Sequence, residues 1–377
     1  MKTHLFLWVI LVFLVVACNK KNDDNFREES PLNPGAFPDH KVPQLIVLGS
    51  DDNTSVEGMN WIIDYMASKK HKDGTPLRMS FYSNSRSAAN WNYPENDRLV
   101  EAHIRAYNLG HELGNHTSNH AYCVSGLKGD DQIRISPDSI SRIINELSYD
   151  LVNNAGVDPE HIVGFRTPYL AWSDSVFSVI NEMGFLYDCS VTESRNGPGQ
   201  YIWPFTMDNG ASGIQGSWWA ENHNTPIGSH QGLWQLPCYS FKAPDSLFNH
   251  MDSLSRGQHN GLITGLDYNM WSEPQSGWLL NKEQSLAVLK NTLKLSLEGN
   301  RAPVTIGMHS QYYAEDYPEL GFVNMQSAAD RRAVVEGFID YALTFDDVWF
   351  VSGVQVISYM KNPVQKDKFN PDNYSYY

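Results

Sequence analysis

Four cysteines in 377 residues are too few for a disulfide scaffold. None of them forms a CxxC pair, so a cysteine metal site is not expected. Positive charge is in deficit: 28 Lys and Arg face 43 Asp and Glu, a formal net charge of −15. Such a surface repels phosphate backbones, so no nucleic acid partner is expected, nor attachment to anionic membranes through basic patches. No internal repeat is evident. The apolar stretch Leu5 to Val16 is too short to span a bilayer comfortably, which takes about 20 residues.

Hydrophobic residues make up 41% and charged residues 19%, the balance of a globular chain. The length suits one large α/β domain or two smaller ones. Eleven Trp and 19 Tyr would suit a neutral, ring-shaped ligand such as a sugar, although many aromatics serve as core. Lys2, the apolar stretch and Val15-Val16-Ala17-Cys18 read as a secretory signal over residues 1–17. The Cys directly after Ala17 resembles a bacterial lipoprotein cleavage box. That likeness implies a lipidated Cys18, membrane attachment through it, and a cell-envelope address at the outer membrane or cell surface. Residues 18–40 are polar and read as a flexible tether, residues 41–362 as the folded domain, and residues 363–377 as a C-terminal tail. Cys123, Cys189 and Cys238 leave room for one disulfide without saying which pair.

From Pro43 onward short apolar runs alternate with amphipathic stretches. Strands are expected at Val42–Ser50, Arg78–Tyr82, Glu112–Asn115, Ile162–Phe165, Phe185–Tyr187, Val304–Met308 and Val348–Val351. Helices are expected at Glu57–Ser68, Asp97–Leu109 (capped by Asn96 or Asp97), Ser136–Asn153, Asp174–Met183, Leu280–Leu297 and Ala328–Thr344. Strands alternating with helices imply a mostly parallel sheet, closed or nearly closed. Residues 195–240 read as irregular substrate loops, with Trp218, Trp219 and Trp234 as candidate sugar contacts.

The chemistry-bearing residues fall at strand ends. Asp51-Asp52 close the first apolar run, and neighbours on an extended segment point opposite ways. One carboxylate is then available to a metal while the other stays free as a base. His116 and His120, four apart, would share one face of a helical turn and reach a single metal. The Glu of a thermolysin-type motif is missing there, so the base must come from elsewhere. Arg166, before Thr167-Pro168-Tyr169, would clamp a carboxylate bidentately. His309 ends the run Ile306-Gly307-Met308, and Asp267, after Leu262-Ile263, is placed to orient it.

In their order and contexts, Asp51-Asp52, His116-x-x-x-His120, Arg166-x-Pro168-Tyr169 and Ile306-x-x-His309 resemble the polysaccharide deacetylase family, carbohydrate esterase family 4. Phe185-Leu186-Tyr187-Asp188, Trp203 to Asp208 and Arg301-Ala302-Pro303 are similar to its chitin-deacetylase-like branch. The resemblance runs over residues 43 to about 362. It implies an α/β fold, a distorted (β/α) barrel of about seven strands. It implies a divalent metal, usually zinc, on Asp52, His116 and His120. It further implies Asp51 as general base with Arg166 as its partner, His309 as general acid, and the Tyr169 backbone N–H in an oxyanion hole. The expected reaction is hydrolytic removal of acetyl groups from an N-acetylated, or O-acetylated, glycan. The alternative is a catalytically inactive glycan-binding lipoprotein on the same barrel. The family's first motif ends Thr-Phe-Asp-Asp-Gly; here Gly49-Ser50-Asp51-Asp52-Asn53 stands in its place.

Overall fold

The computed structural model describes residues 26–84, 94–123, 136–194, 196–211, 227–254, 259–272, 277–315 and 325–374. Its strands are β1 (Gln44–Asp52), β2 (Ser80–Ser83), β3 (Glu112–Asn115), β4 (Gly164–Phe165), β5 (Tyr187–Asp188), β6 (Thr192–Glu193), β7 (Phe205–Thr206), β8 (Trp234–Gln235), β9 (Cys238–Tyr239), β10 (Phe241–Lys242), β11 (Leu262–Ile263), β12 (Val304–His309) and β13 (Val348–Phe350). The helices are α1 (Val56–Ala67), α2 (Pro94–Asn108), α3 (Pro137–Asn153), α4 (Asp174–Glu182), α5 (Phe248–Ser253), α6 (Tyr268–Trp271), α7 (Lys282–Glu298), α8 (Ala328–Ala342) and α9 (Gly353–Lys361).

β1 is the central strand, and its sequence says why. Leu45 to Leu48 are apolar without alternation and all buried, as a strand covered on both faces requires. One edge of β1 pairs with β12, the other with β13 and then β2. From there the sheet runs β12-β1-β2-β3-β4-β5-β8-β7 and curls into a half-barrel. Every pairing along it is parallel except β7 with β8. The mostly parallel α/β sheet expected from the alternating pattern is therefore present, as an open curl of eight strands with β13 alongside.

The helices cover the sheet with one apolar face each. In α1 that face is Met59, Ile62, Ile63 and Met66, spaced three and four apart and all buried. Ser55 caps this helix by accepting from the Gly58 amide at 3.1 Å. Ser136 caps α3, with Pro137 at its start.

Several boundaries differ from expectation. α2 begins at Pro94, so Asn96 and Asp97 lie inside its first turn rather than capping it. β4 has two residues rather than four, because Ile162 closes a 3-10 turn. β5 falls at Tyr187–Asp188, where the chain first meets β4 and β8 together. Residues 195–240 are less irregular than expected, since they supply β7, β8 and β9. Trp234 is 2% exposed within the core, so it faces no glycan; Trp218 and Trp219 lie outside the described residues.

The two flanks also pack. Arg27 and Ser30 bond to the backbone of Thr206 and Trp203, so the described part of the expected tether lies along the edge strand β7, whose amides would otherwise lack partners. At the other end Phe369 and Tyr374 stack on each other at 5.2 Å and bury against Tyr359. Cys123, Cys189 and Cys238 are buried free thiols. Cys18 lies outside the described residues, and among those described no helix is long and apolar enough to cross a membrane.

Candidate active site

Register builds the site. Asp51 lies opposite His309. Asp52 lies opposite Ser83, Ser83 opposite Asn115, Asn115 opposite Phe165, and Phe165 opposite Asp188. Parallel strands in step end at one level, so the next residues along each, Asn84, His116, Arg166 and Cys189, emerge at a common rim. That rim is the C-terminal edge of the sheet, where barrel enzymes carry their reacting groups.

Asp51 and Asp52 face different neighbours. Asp51 is buried and takes a hydrogen bond from Arg166 Nη1 to its Oδ1 at 2.8 Å. The expected bidentate clamp is absent, because Arg166 Nε turns instead to Cys189, 3.2 Å from its Sγ and 3.3 Å from its carbonyl oxygen. The guanidinium also lies 4.4 Å from the ring centre of Tyr82. Burial opposes its charge, but Asp51 together with Cys189, Tyr82 and Cys238 outweighs burial and holds Arg166 protonated well beyond its ordinary range. Gly49 makes this approach possible: a Cβ there would sit 3.1 Å from both terminal nitrogens of Arg166.

Asp52 turns the other way, with φ +63°, and Asn53 follows at +57°. Its Oδ1 lies 3.3 Å from His120 Nε2 and 3.8 Å from His116 Nε2. Asn84 donates to the same oxygen, and Gln311 Nε2 donates to Oδ2 at 3.0 Å. Burial works against ionisation of Asp52, but His116, His309, His120 and the Gln311 bond together pull its pKa below the ordinary value. His116 Nδ1 bonds the Arg166 carbonyl at 2.7 Å, which fixes that nitrogen as the donor and leaves Nε2 with a lone pair. Burial, then the neighbouring His116, pushes His120 down to about 4, so its ring is neutral at pH 7.

One ligand atom each from Asp52, His116 and His120 lie within 4.8 Å of one another. Two imidazole nitrogens and a carboxylate oxygen make a donor set that fits zinc or a similar divalent cation. The histidines do not share a helical turn, contrary to the expectation from their spacing. Residues 116–120 are a loop, bent by Thr117 at φ +63° and His120 at +51°. Asn115 Oδ1 holds the Thr117 amide at 2.9 Å in a local turn, and the Ile143 carbonyl holds the Ser118 amide at 2.9 Å, so a loop rather than a helix brings the histidines together.

His309 and Asp267 meet as expected. Asp267 Oδ1 lies 3.0 Å from His309 Nδ1, while its Oδ2 takes the His309 amide at 3.1 Å. Burial disfavours the imidazolium, but the charge and hydrogen bond of Asp267, with help from Asp51 and Asp52, raise its pKa to about 9. Tyr169 sits at φ +61° and is 56% exposed, with its ring 4.4 Å from that of His120. Asn84, Cys189 and Gln311 were missed by sequence reasoning. Asn84 and Cys189 follow strand ends and were findable by the rule that located His116; Gln311, in a 3-10 turn after His309, carries no sequence signal.

A rim of strand ends that gathers a metal-type triad, a carboxylate–guanidinium pair and a carboxylate–imidazole pair defines a class: an α/β half-barrel hydrolase scaffold. Comparison shows what the chain is similar to. The polysaccharide deacetylase family model matches residues 59–187, a stretch that includes His116, His120, Arg166 and Tyr169. The chain is 24% identical over 338 residues to chitin deacetylase 8 of Bombyx mori, covering 89% of this chain and 75% of that one. It is 23% identical over 349 residues to chitin deacetylase 1 of the same organism, covering 89% of this chain and 54% of that one. In fold it is similar to a Mycobacterium smegmatis chain assigned to polysaccharide deacetylase, with a TM-score of 0.53, 16% identity, and 89% and 95% of the two chains covered. Residues 59–187 thus match the polysaccharide deacetylase family, and the chain is similar to the two chitin deacetylases over 89% of its length.

Proposed function

We propose that the protein is a metal-dependent deacetylase that hydrolyses acetyl groups from an acetylated glycan, with N-acetylated polysaccharide as the first candidate. The observation that carries the reading is the meeting, at one rim, of the Asp52–His116–His120 triad with the Asp51–Arg166 and Asp267–His309 pairs. A divalent cation, zinc most simply, held by Asp52, His116 and His120 would polarise the acetyl carbonyl and acidify water.

The chain's own groups supply the proton traffic. Asp51, held in place by Arg166, accepts the proton of the attacking water. His309 Nε2 donates a proton to the leaving nitrogen, because an amide nitrogen departs poorly as an anion. Asp267 keeps that ring charged and oriented through Nδ1. The backbone N–H of Tyr169 donates to the substrate oxyanion; one such donor is worth about 3 kcal/mol. The products are acetate and a free amino sugar, or a free hydroxyl where the substrate is an O-acetylated xylan.

The test is acetate release from a panel of N-acetylglucosamine oligomers and O-acetylated xylan, with and without chelator. Chelator-sensitive release supports the reading, and its abolition together with zinc content in Asp52→Ala supports the ligand set. Oligomer binding without acetate release overturns it in favour of a glycan-binding protein. The Val15-Val16-Ala17-Cys18 pattern supports a further proposal, attachment to the cell envelope through lipidated Cys18. A Cys18→Ala variant that still partitions with membranes overturns that proposal.

A further inference from the structure

Gln311 is 6% exposed and sits in the 3-10 turn Ser310–Tyr313 that follows β12. Its Nε2 donates to Asp52 Oδ2 at 3.0 Å, while Asn84 donates to Oδ1 from the opposite side, at the end of β2. The carboxylate is thus gripped at both oxygens by carboxamides. The orientation of the Gln311 amide follows from that contact, since its oxygen would repel the carboxylate. The amide oxygen is left buried with no partner among the described residues.

The turn that carries Gln311 is itself fixed. Gly58 lets α1 close onto it, because a Cβ at that position would fall 1.8 Å from the Ser310 carbonyl oxygen. Ser310 Oγ takes the Ser55 amide at 3.2 Å, and two arginines of α8 pin the rest of the turn. Arg331 donates to the Tyr312 carbonyl and Arg332 to the Tyr313 carbonyl, each at 2.6 Å.

The geometry points to Gln311 as a positioning residue for the metal ligand Asp52. By occupying Oδ2 it leaves Oδ1, the oxygen facing His116 and His120, to bind the cation alone. That keeps coordination positions open for water and substrate, which distinguishes a catalytic from a closed structural site. The inference rests on the deacetylase reading only for its purpose, since the metal contact can be measured without any substrate.

The test uses Gln311→Met, which keeps shape without a donor, and Gln311→Asn, which keeps a donor too short to reach. Zn2+ affinity is measured by chelator competition and Co2+ absorption intensity reports coordination number, with melting of the metal-free proteins as the folding control. Zn2+ binding about 10- to 100-fold weaker in the folded variants, with dimmer Co2+ bands as Oδ2 joins the cation, supports the role. Either folded variant binding Zn2+ as the wild type does, with unchanged Co2+ bands, overturns it and leaves the deacetylase reading intact. Failure of the wild-type protein itself to bind Zn2+ overturns both.

Discussion

β1 and the rim it runs into are made of adjacent residues and obey different rules. Below the rim, backbone is extended, most side chains are apolar and every strand pairs in step with the next. At the rim, six residues, Asp52, Asn53, Thr117, His120, Tyr169 and Leu170, have positive φ, against three such non-glycine residues elsewhere among those described, Ala36, Leu279 and Arg301, leaving aside where Leu279 and Arg301 pack. A non-glycine residue in that conformation costs of order 1 kcal/mol and persists only where its surroundings impose it. The contrast shows where this fold keeps its strain: in turning metal-type ligands and a tyrosine toward one point, while the sheet beneath stays regular.

The most severe way to break the rim without touching the sheet is Asp51→Asn. The side chain keeps its size and its place opposite His309, and Asp52, His116 and His120 are unaltered. Turnover should fall about 10²- to 10⁴-fold, the usual worth of a general base, with zinc content unchanged. Steady-state acetate release alongside metal analysis checks this; loss of zinc in the variant would show that Asp51 is part of the ligand set. Next in size is Gly58→Ala, which forces α1 and the Ser310 carbonyl apart. Overpacking against backbone typically costs about 1–3 kcal/mol, read by urea denaturation, and zinc affinity should drop with it because the Gln311 turn moves.

Asp267→Asn sharpens the comparison by removing the charge and one of the two acceptor oxygens while keeping the shape. In the metal-free protein His309 should titrate near pH 9, and the variant should bring it down toward the ordinary histidine range, followed by NMR of the ring protons. The sign follows from linkage. A folded-state value above the ordinary 6.5 stabilises the fold fully below that pH, and the contribution is lost as pH rises to about 9. Stability of wild type and variant should therefore differ most in acid to neutral solution and converge above pH 9. The alkaline limb of turnover should move to lower pH in the variant, because the general acid loses its proton sooner.

The same division between sheet and rim governs how much the residues alone revealed. β1 and β12 were legible because burial on both faces writes a mostly apolar run, while β3, Glu112-Leu113-Gly114-Asn115, was read as a short strand turning into a loop; their ends located Asp51, Asp52, His116 and His309. β4 and β5 were blurred because two-residue strands are set by neighbours rather than by their own pattern. The His116–His120 spacing suggested a helical turn, yet a local bond to Asn115 and a tertiary one to Ile143 decide the loop. Trp234 resembled a sugar platform in composition, and only its burial places it in the core. Gln311 was invisible because its meaning lies in a contact across 259 positions of chain.

Asn53 gives the smallest expected effect and the finest test of where rim strain resides. It stands where the family motif has glycine, and at φ +57° glycine would be free of strain. Asn tolerates that conformation better than most residues and adds two bonds, from Nδ2 to the Ser50 carbonyl at 2.9 Å and to Ser83 Oγ at 3.2 Å. Asn53→Gly removes both bonds along with the strain, and it loosens the unfolded chain. These terms oppose one another at roughly 0.5–1 kcal/mol each, so stability should change by less than about 1 kcal/mol and zinc affinity little. Asn53→Ala removes the bonds and keeps the strain, so it should be the worse of the two by about 1 kcal/mol in urea denaturation. If alanine proved as well tolerated as glycine, the left-handed turn after Asp52 would be held by the strands alone, and the Asn53 side chain would have no part in aiming the carboxylate.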